Sequence, residues 1–105
     1  MPTISVVYPR SEGATFDYRY YEETHLPLVV ERWRDAGLTG AEALRGVEAL
    51  DGGPAAFFAV ALIRFQSHEQ FQAALAGEHA AEIMGDIPNF SSVQPLIQVN
   101  ERIGA

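Results

Sequence analysis

The chain has 105 residues, 48% hydrophobic and 20% charged, which fits one globular domain over residues 1–105 and leaves no room for a second. Fourteen acidic residues against seven arginines give a net charge of −7, a sign that repels phosphate backbones and anionic membranes, so neither nucleic acid nor a membrane is an expected partner. With no cysteine there are no disulfides, thiolate metal centres or cysteine nucleophiles, and no apolar run nears the roughly 20 residues that cross a bilayer, so the expected setting is cytoplasmic.

In chain order, the β-branched run TISVVY (3–8) closing at Pro9 predicts a strand, and RSEGAT (10–15) a loop. Asp17 can accept hydrogen bonds from the exposed N–H groups of a first helical turn, and apolar residues recur at helical spacing from there to Arg34. DAGLTG (35–40) ends that helix. Pro27 lacks the N–H that would bond the Glu23 carbonyl, so a kink is expected, or a break with a second helix starting near Pro27. Leu26, before proline, is biased away from α geometry.

AEALRGVEAL (41–50) and AAFFAVALIRF (55–65) flank the turn DGGP, and the short connection predicts an antiparallel hairpin. Ser67 caps a helix over 68–77, HAAEIMGDI (79–87) adds a helical turn or two, and VQPLIQVN (93–100) is a last strand that Pro95 directs to an edge or bulge. The order β-α-β-β-α-β is the ferredoxin-like arrangement, an α+β fold with a four-stranded antiparallel sheet.

Residues 57–65 are apolar on both faces, with Phe57, Ala59, Ala61, Ile63 and Phe65 on one and Phe58, Val60, Leu62 and Arg64 on the other. Helices cover only one side in this topology, so the second face is expected to be covered by the sheet of an identical chain.

One helical stripe carries candidate chemistry. At 100° per residue Tyr21, Thr24, His25 and Leu28 align, with Tyr18, Val29 and Trp33 beside them. Tyr21 and His25 are four residues apart, so their polar tips can meet over an apolar surface, where a histidine can act as general acid or base and a tyrosine hydroxyl can orient it. On periodicity alone, however, such an aromatic stripe reads first as a packed core face, with chemistry the minority case.

The stretch YPRSEGATFDYRYYEETHLPLV (8–29) resembles the opening of the EthD family through its strand, its FD helix start, its YY pair and the H-x-P that follows. FQSHEQFQAAL (65–75) and HAAEIMGDIPNFSSVQPLIQVNE (79–101) resemble that family too, so the likeness spans nearly the whole chain. The first motif is the more specific, combining Asp17, Tyr20, Tyr21, His25, Pro27 and Leu28 in fixed order.

The resemblance implies a dimeric α+β barrel of two ferredoxin-like sheets packed face to face. The family is named for a gene cluster that degrades ethyl tert-butyl ether, and related barrel proteins include cofactor-free oxygenases, decarboxylases and lactone isomerases. It further implies His25 as the proton-transfer group or polar anchor with Tyr21 beside it, substrate contacts from Tyr8, Tyr20, Thr24, Leu28 and His79, no bound cofactor, and a hydrophobic oxygen-bearing small molecule as substrate or ligand. In the second segment His79, Asp86 and Asn89 are candidates for the pocket mouth, although His79 also reads as a solvated helix-end histidine and Asp86 as a turn cap.

Other chemistries find little support. His79 and Glu82 share a helical i, i+3 relation, too little for a metal site; Ser91 and Ser92 lie outside any nucleophile-elbow pattern; and the glycines form no phosphate-binding loop. The function expected is that of a small cofactor-free homodimer with His25 as acid or base, or else of a ligand-binding accessory protein using the same pocket.

Overall fold

The computed structural model describes residues 1–104. Its elements are β1 (Thr3–Pro9), α1 (Tyr18–Tyr20), a π-helical turn (Tyr21–His25), α2 (Leu26–Trp33), β2 (Leu38–Arg45), β3 (Phe57–Phe65), α3 (His68–Leu75), α4 (Ala80–Gly85) and β4 (Leu96–Asn100). The strands form one antiparallel sheet in the order β2-β3-β1-β4, which makes this a ferredoxin-like α+β fold.

Local chemistry sets the helix starts as expected. The Asp17 carboxylate accepts from the Tyr20 N–H at 3.1 Å, and the Ser67 hydroxyl accepts from the Gln70 N–H at 3.1 Å. Gly37, at φ +103°, provides the left-handed residue that ends the helical run, and Leu38 already begins β2, so the strand starts three residues before the expected 41.

A second helix does start beside Pro27, at Leu26, as one of the two expectations had it, but the backbone stays right-handed helical across the junction. The chain passes through the π turn, in which the Leu26 N–H bonds the Tyr21 carbonyl, and Pro27 sits in the first turn of α2, where a missing N–H costs little. Leu26 is α-helical at φ −60° and ψ −45°, contrary to the expectation for a residue before proline; we attribute this to the wider π turn, which makes room for the pyrrolidine ring.

The β2–β3 connection is longer than a tight hairpin and spans 46–56, while β4 begins at Leu96, after Pro95, and lies at the sheet edge. Ile4, Tyr8, Ala61, Ile63 and Phe65 are buried beneath the helices. Phe58, expected on the opposite face, joins this one: the register slips between Tyr8 and Pro9 against β3, and the bulge turns Phe58 to stack on Phe16 at 5.6 Å.

Two apolar clusters fill the space between sheet and helices. One gathers Trp33, Phe65 and Phe71, with ring centroids 5.2 to 5.7 Å apart; the other gathers Tyr8, Tyr21, Phe58 and Phe90. On the outer face the register aligns Leu44, Val60, Val7 and Leu96 across all four strands, beside a row of Glu42, Leu62, Ser5 and Gln98. Leu44 and Leu96 in that apolar row are 57% and 61% exposed.

Candidate active site

At the seam between the two clusters lies a cavity of about 70 Å³, more than one water needs, walled by β1, β3, β4 and the helices. Tyr8, Tyr21 and His25 line one part of it and Trp33 and Phe71 another. Leu75, Met84 and Ile97 also line it and are each 43% exposed, so the cavity reaches solvent beside them.

His25 is only 4% exposed. Its Nδ1 lies 2.9 Å from Asp86 Oδ2. The other carboxylate oxygen, Oδ1, accepts from the Tyr20 hydroxyl at 2.6 Å and from Asn89 Nδ2 at 3.0 Å. Partial burial works to raise the Asp86 carboxyl, but the hydrogen bonds from Tyr20, Asn89 and His25 outweigh it and hold the group below the usual carboxylate range. Asp86 is therefore an ionised acceptor, and Nδ1 of His25 must carry the proton that is shared with it.

Burial lowers the His25 pKa below its ordinary value near 6.5, and the bond and charge of Asp86 offset only part of that effect. At neutral pH the ring is thus neutral, with its proton on Nδ1 and a free lone pair on Nε2, which has no hydrogen-bond partner among the described residues. The ring is clamped between aromatic neighbours: Tyr21 at 5.6 Å, nearly parallel, and Phe90 at 4.5 Å. A base held in one tautomer and one orientation is the result.

Asp86 reaches His25 because two loops are fastened together. Phe16 and Ser91 form an isolated antiparallel bridge, the Asp17 N–H donates to the Phe90 carbonyl at 2.7 Å, and the Thr15 N–H donates to Ser92 Oγ at 2.8 Å. Residues 86–91 are thereby laid against the start of the helical run. An Arg32–Glu82 pair at 2.8 Å ties α2 to α4 on the outside.

The tyrosines of the cavity remain protonated. Burial, and secondarily the proximity of Tyr21, pushes the Tyr8 hydroxyl far above the ordinary phenol value, and burial does the same to Tyr21. Neither hydroxyl has a hydrogen-bond partner among the described residues, so both are donors available to an oxygen in the cavity.

The expected site residues divide. Tyr8, Tyr21 and His25 meet in the cavity, although Tyr21 stacks on His25 and the polar partner of the histidine is Asp86. Tyr20 lies outside the cavity wall and holds Asp86, a positioning contact in place of the expected substrate contact. Thr24 is exposed: a π turn has more than four residues, so it aligns Tyr21 with His25 and rotates the third residue away. Leu28 packs against the Trp33 cluster while Leu26 and Val29 line the cavity. His79 precedes α4 without a side-chain capping bond, 3.6 Å from Glu78, with 41% of its side chain exposed, in line with the solvated reading. Asp86 was legible only as a polar candidate at the mouth, and Trp33 only as a neighbour of the stripe. Among the described residues no group of three or more His, Asp or Glu side chains is arranged to hold a metal, and no helix is long and apolar enough to cross a membrane.

The model of the EthD domain matches residues 12–94. Among solved structures, an EthD-like protein from Ralstonia eutropha JMP134 is 35% identical, with a TM-score of 0.88 over 98% of this chain and 92% of that one. An ethyl tert-butyl ether degradation (EthD) family protein from Bacillus halodurans C-125 is 21% identical, with a TM-score of 0.76 over 98% and 99%. SnoaB from Streptomyces nogalater, described as a cofactor-independent oxygenase, shares the fold at 13% identity and a TM-score of 0.64, over 99% and 93%. No curated protein matches the sequence.

Proposed function

Given that the chain belongs to the EthD family, we propose that it binds a neutral, hydrophobic, oxygen-bearing small molecule between sheet and helices and moves a proton on it through His25, with no bound cofactor. The observation that carries this reading is the His25 Nδ1–Asp86 contact at 2.9 Å, which leaves Nε2 as the basic atom of the cavity. Asp86 orients the ring and stabilises the imidazolium formed when Nε2 takes a proton. The Tyr8 and Tyr21 hydroxyls donate to the substrate oxygen on which the negative charge then collects.

Proton removal next to an oxygen function opens both oxygenase-like and isomerase-like reactions, and the cofactor-independent oxygenase SnoaB shares this fold. A decarboxylase-like reaction fits less well. Its carboxylate substrate would enter a cavity with no arginine in its wall and the Asp86 charge behind His25. The role belongs to catabolism or secondary metabolism in the cytoplasm. The working unit is a homodimer joined through the outer sheet face, since the Leu44–Val60–Val7–Leu96 row has no covering element among the described residues.

Turnover of candidate phenols and enolisable ketones by wild type and His25→Ala tests the catalytic reading. Loss of turnover with ligand binding retained supports it; equal turnover in both proteins sinks it. A non-catalytic binding or accessory role predicts weaker binding by His25→Ala with turnover in neither protein.

A further inference from the structure

The cavity lined by His25 holds about 70 Å³. A single benzene ring takes a cavity of about 150 Å³. Any ring that carries an oxygen to His25 therefore needs more room than the closed cavity offers. That room lies across one wall. A second chamber of about 170 Å³ sits between the helical run and the helix-facing side of β2 and β3, and Tyr21 and Leu26 line both spaces.

The π turn builds this wall. Its closing hydrogen bond joins the Leu26 N–H to the Tyr21 carbonyl, whereas at 100° per residue positions 21 and 26 would diverge by about 140°. Beneath the wall the sheet is floored with alanine. Ala61 lines the inner cavity, Ala59 and Ala43 line the second chamber, and Ala43 is the direct β2 partner of Ala61. The floor thus runs from one space to the other on methyl groups.

The two wall residues differ in freedom. Tyr21 is held among the rings of Tyr8, Phe16, His25 and Phe90, with centroids 5.0 to 5.7 Å away. Leu26 is half-buried and aliphatic, and it can change between staggered rotamers without breaking a polar contact.

Resting on the reading of the inner cavity as the ligand site, we infer that Leu26 is its specificity-determining residue: rotation of this side chain joins the two chambers, and the ligand lies across both. The reacting oxygen faces His25, and the rest of the molecule extends over Ala61, Ala43 and Ala59 towards Glu22 and Arg45, the exposed charged residues that line the second chamber. The substrate class is thereby narrowed to flat molecules of more than one ring, apolar at the reacting end and open to polar groups at the other.

The test titrates 2-naphthol calorimetrically into wild type, Leu26→Ala and Ala43→Leu. Leu26→Ala removes the wall and should tighten binding roughly fivefold, while Ala43→Leu fills the second chamber and should weaken it roughly tenfold. Unchanged or weaker binding by Leu26→Ala, or unchanged binding by Ala43→Leu, overturns the inference. If either variant does not fold, ¹³C-methyl spectra of wild type decide. Ring-current shifts at Ala43 and Ala59 together with Ile4 and Val29 support a ligand across both chambers. Ile4 and Val29 line the inner cavity and not the second chamber, so no shift there removes the inner cavity as the ligand site and the inference with it. Shifts at Ile4 and Val29 that spread to Leu75 and Met84 at the solvent opening, with none at Ala43 and Ala59, leave that site standing and overturn the role of Leu26 alone.

Discussion

His25 and Asp86 lie 61 residues apart in the chain and 2.9 Å apart in the fold, with Tyr20 and Asn89 closing on the same carboxylate. One ionised acceptor thus fixes which imidazole nitrogen carries the proton. What the site can do depends on that choice, because only a neutral ring with a free Nε2 can take a proton from a molecule in the cavity.

Removing either partner should have separable effects. His25→Ala is expected to lower turnover roughly 10²- to 10⁴-fold, the range of general acid–base contributions. Asp86→Asn keeps the shape but loses the charge and frees the tautomer, for a loss of about 10- to 100-fold. Steady-state kinetics on any confirmed substrate measures both. An Asp86→Asn enzyme as fast as wild type would mean that the carboxylate has no part in the chemistry.

The pH dependence of stability follows from the lowered His25 pKa. Between that lowered value and about 6.5 the unfolded chain binds the histidine proton and the native chain does not. Stability should therefore fall as pH drops through about 6.5, and the contribution of His25 should level off once the native ring is also protonated. Asp86, held low, loses its share only in a more acidic window. Melting temperatures from pH 7.5 to 5 should decline less steeply for His25→Gln than for wild type; parallel slopes would contradict the assignment.

Gly46 follows β2 where that strand leaves β3. Its N–H donates to the Phe58 carbonyl at 2.8 Å, and a Cβ there would overlap the Phe57 carbonyl oxygen. Gly46→Ala should cost about 1–3 kcal/mol, the range for overpacking, and lower the melting temperature by several degrees per kcal/mol. Gly40, where a Cβ meets nothing within 4 Å, is the matched control, and an equal effect at both positions would defeat the steric explanation.

Val60→Glu and Leu62→Glu place a charge on the partly buried outer face of β3 without touching the cavity wall. In analytical ultracentrifugation the wild type should sediment at twice the 11.5 kDa chain mass and both variants at the chain mass. Wild type sedimenting as a monomer would rule out the dimer through this face.

The parts of the fold governed by local rules were legible in the sequence: the caps at Asp17 and Ser67, the two-faced strand through Ile63, and the element order. The parts governed by contacts distant in sequence were not. No periodicity relates Asp86 to His25; the pairing of residues 15–17 with 90–92 brings them together. A helical wheel at 100° per residue put Thr24 beside His25, but the π turn over Tyr21–His25 changes that angle. Phe58 changed faces because a bulge shifts parity, which alternation alone cannot reveal.

The central claim is a neutral His25 protonated on Nδ1. Long-range ¹H–¹⁵N correlation spectra of the imidazole nitrogens, recorded from pH 8 to 4.5, test it directly. The expected result is a ring with protonated Nδ1 and unprotonated Nε2 at pH 7, titrating below 6.5. Protonation on Nε2 at pH 7, or a midpoint above 6.5, would contradict the account.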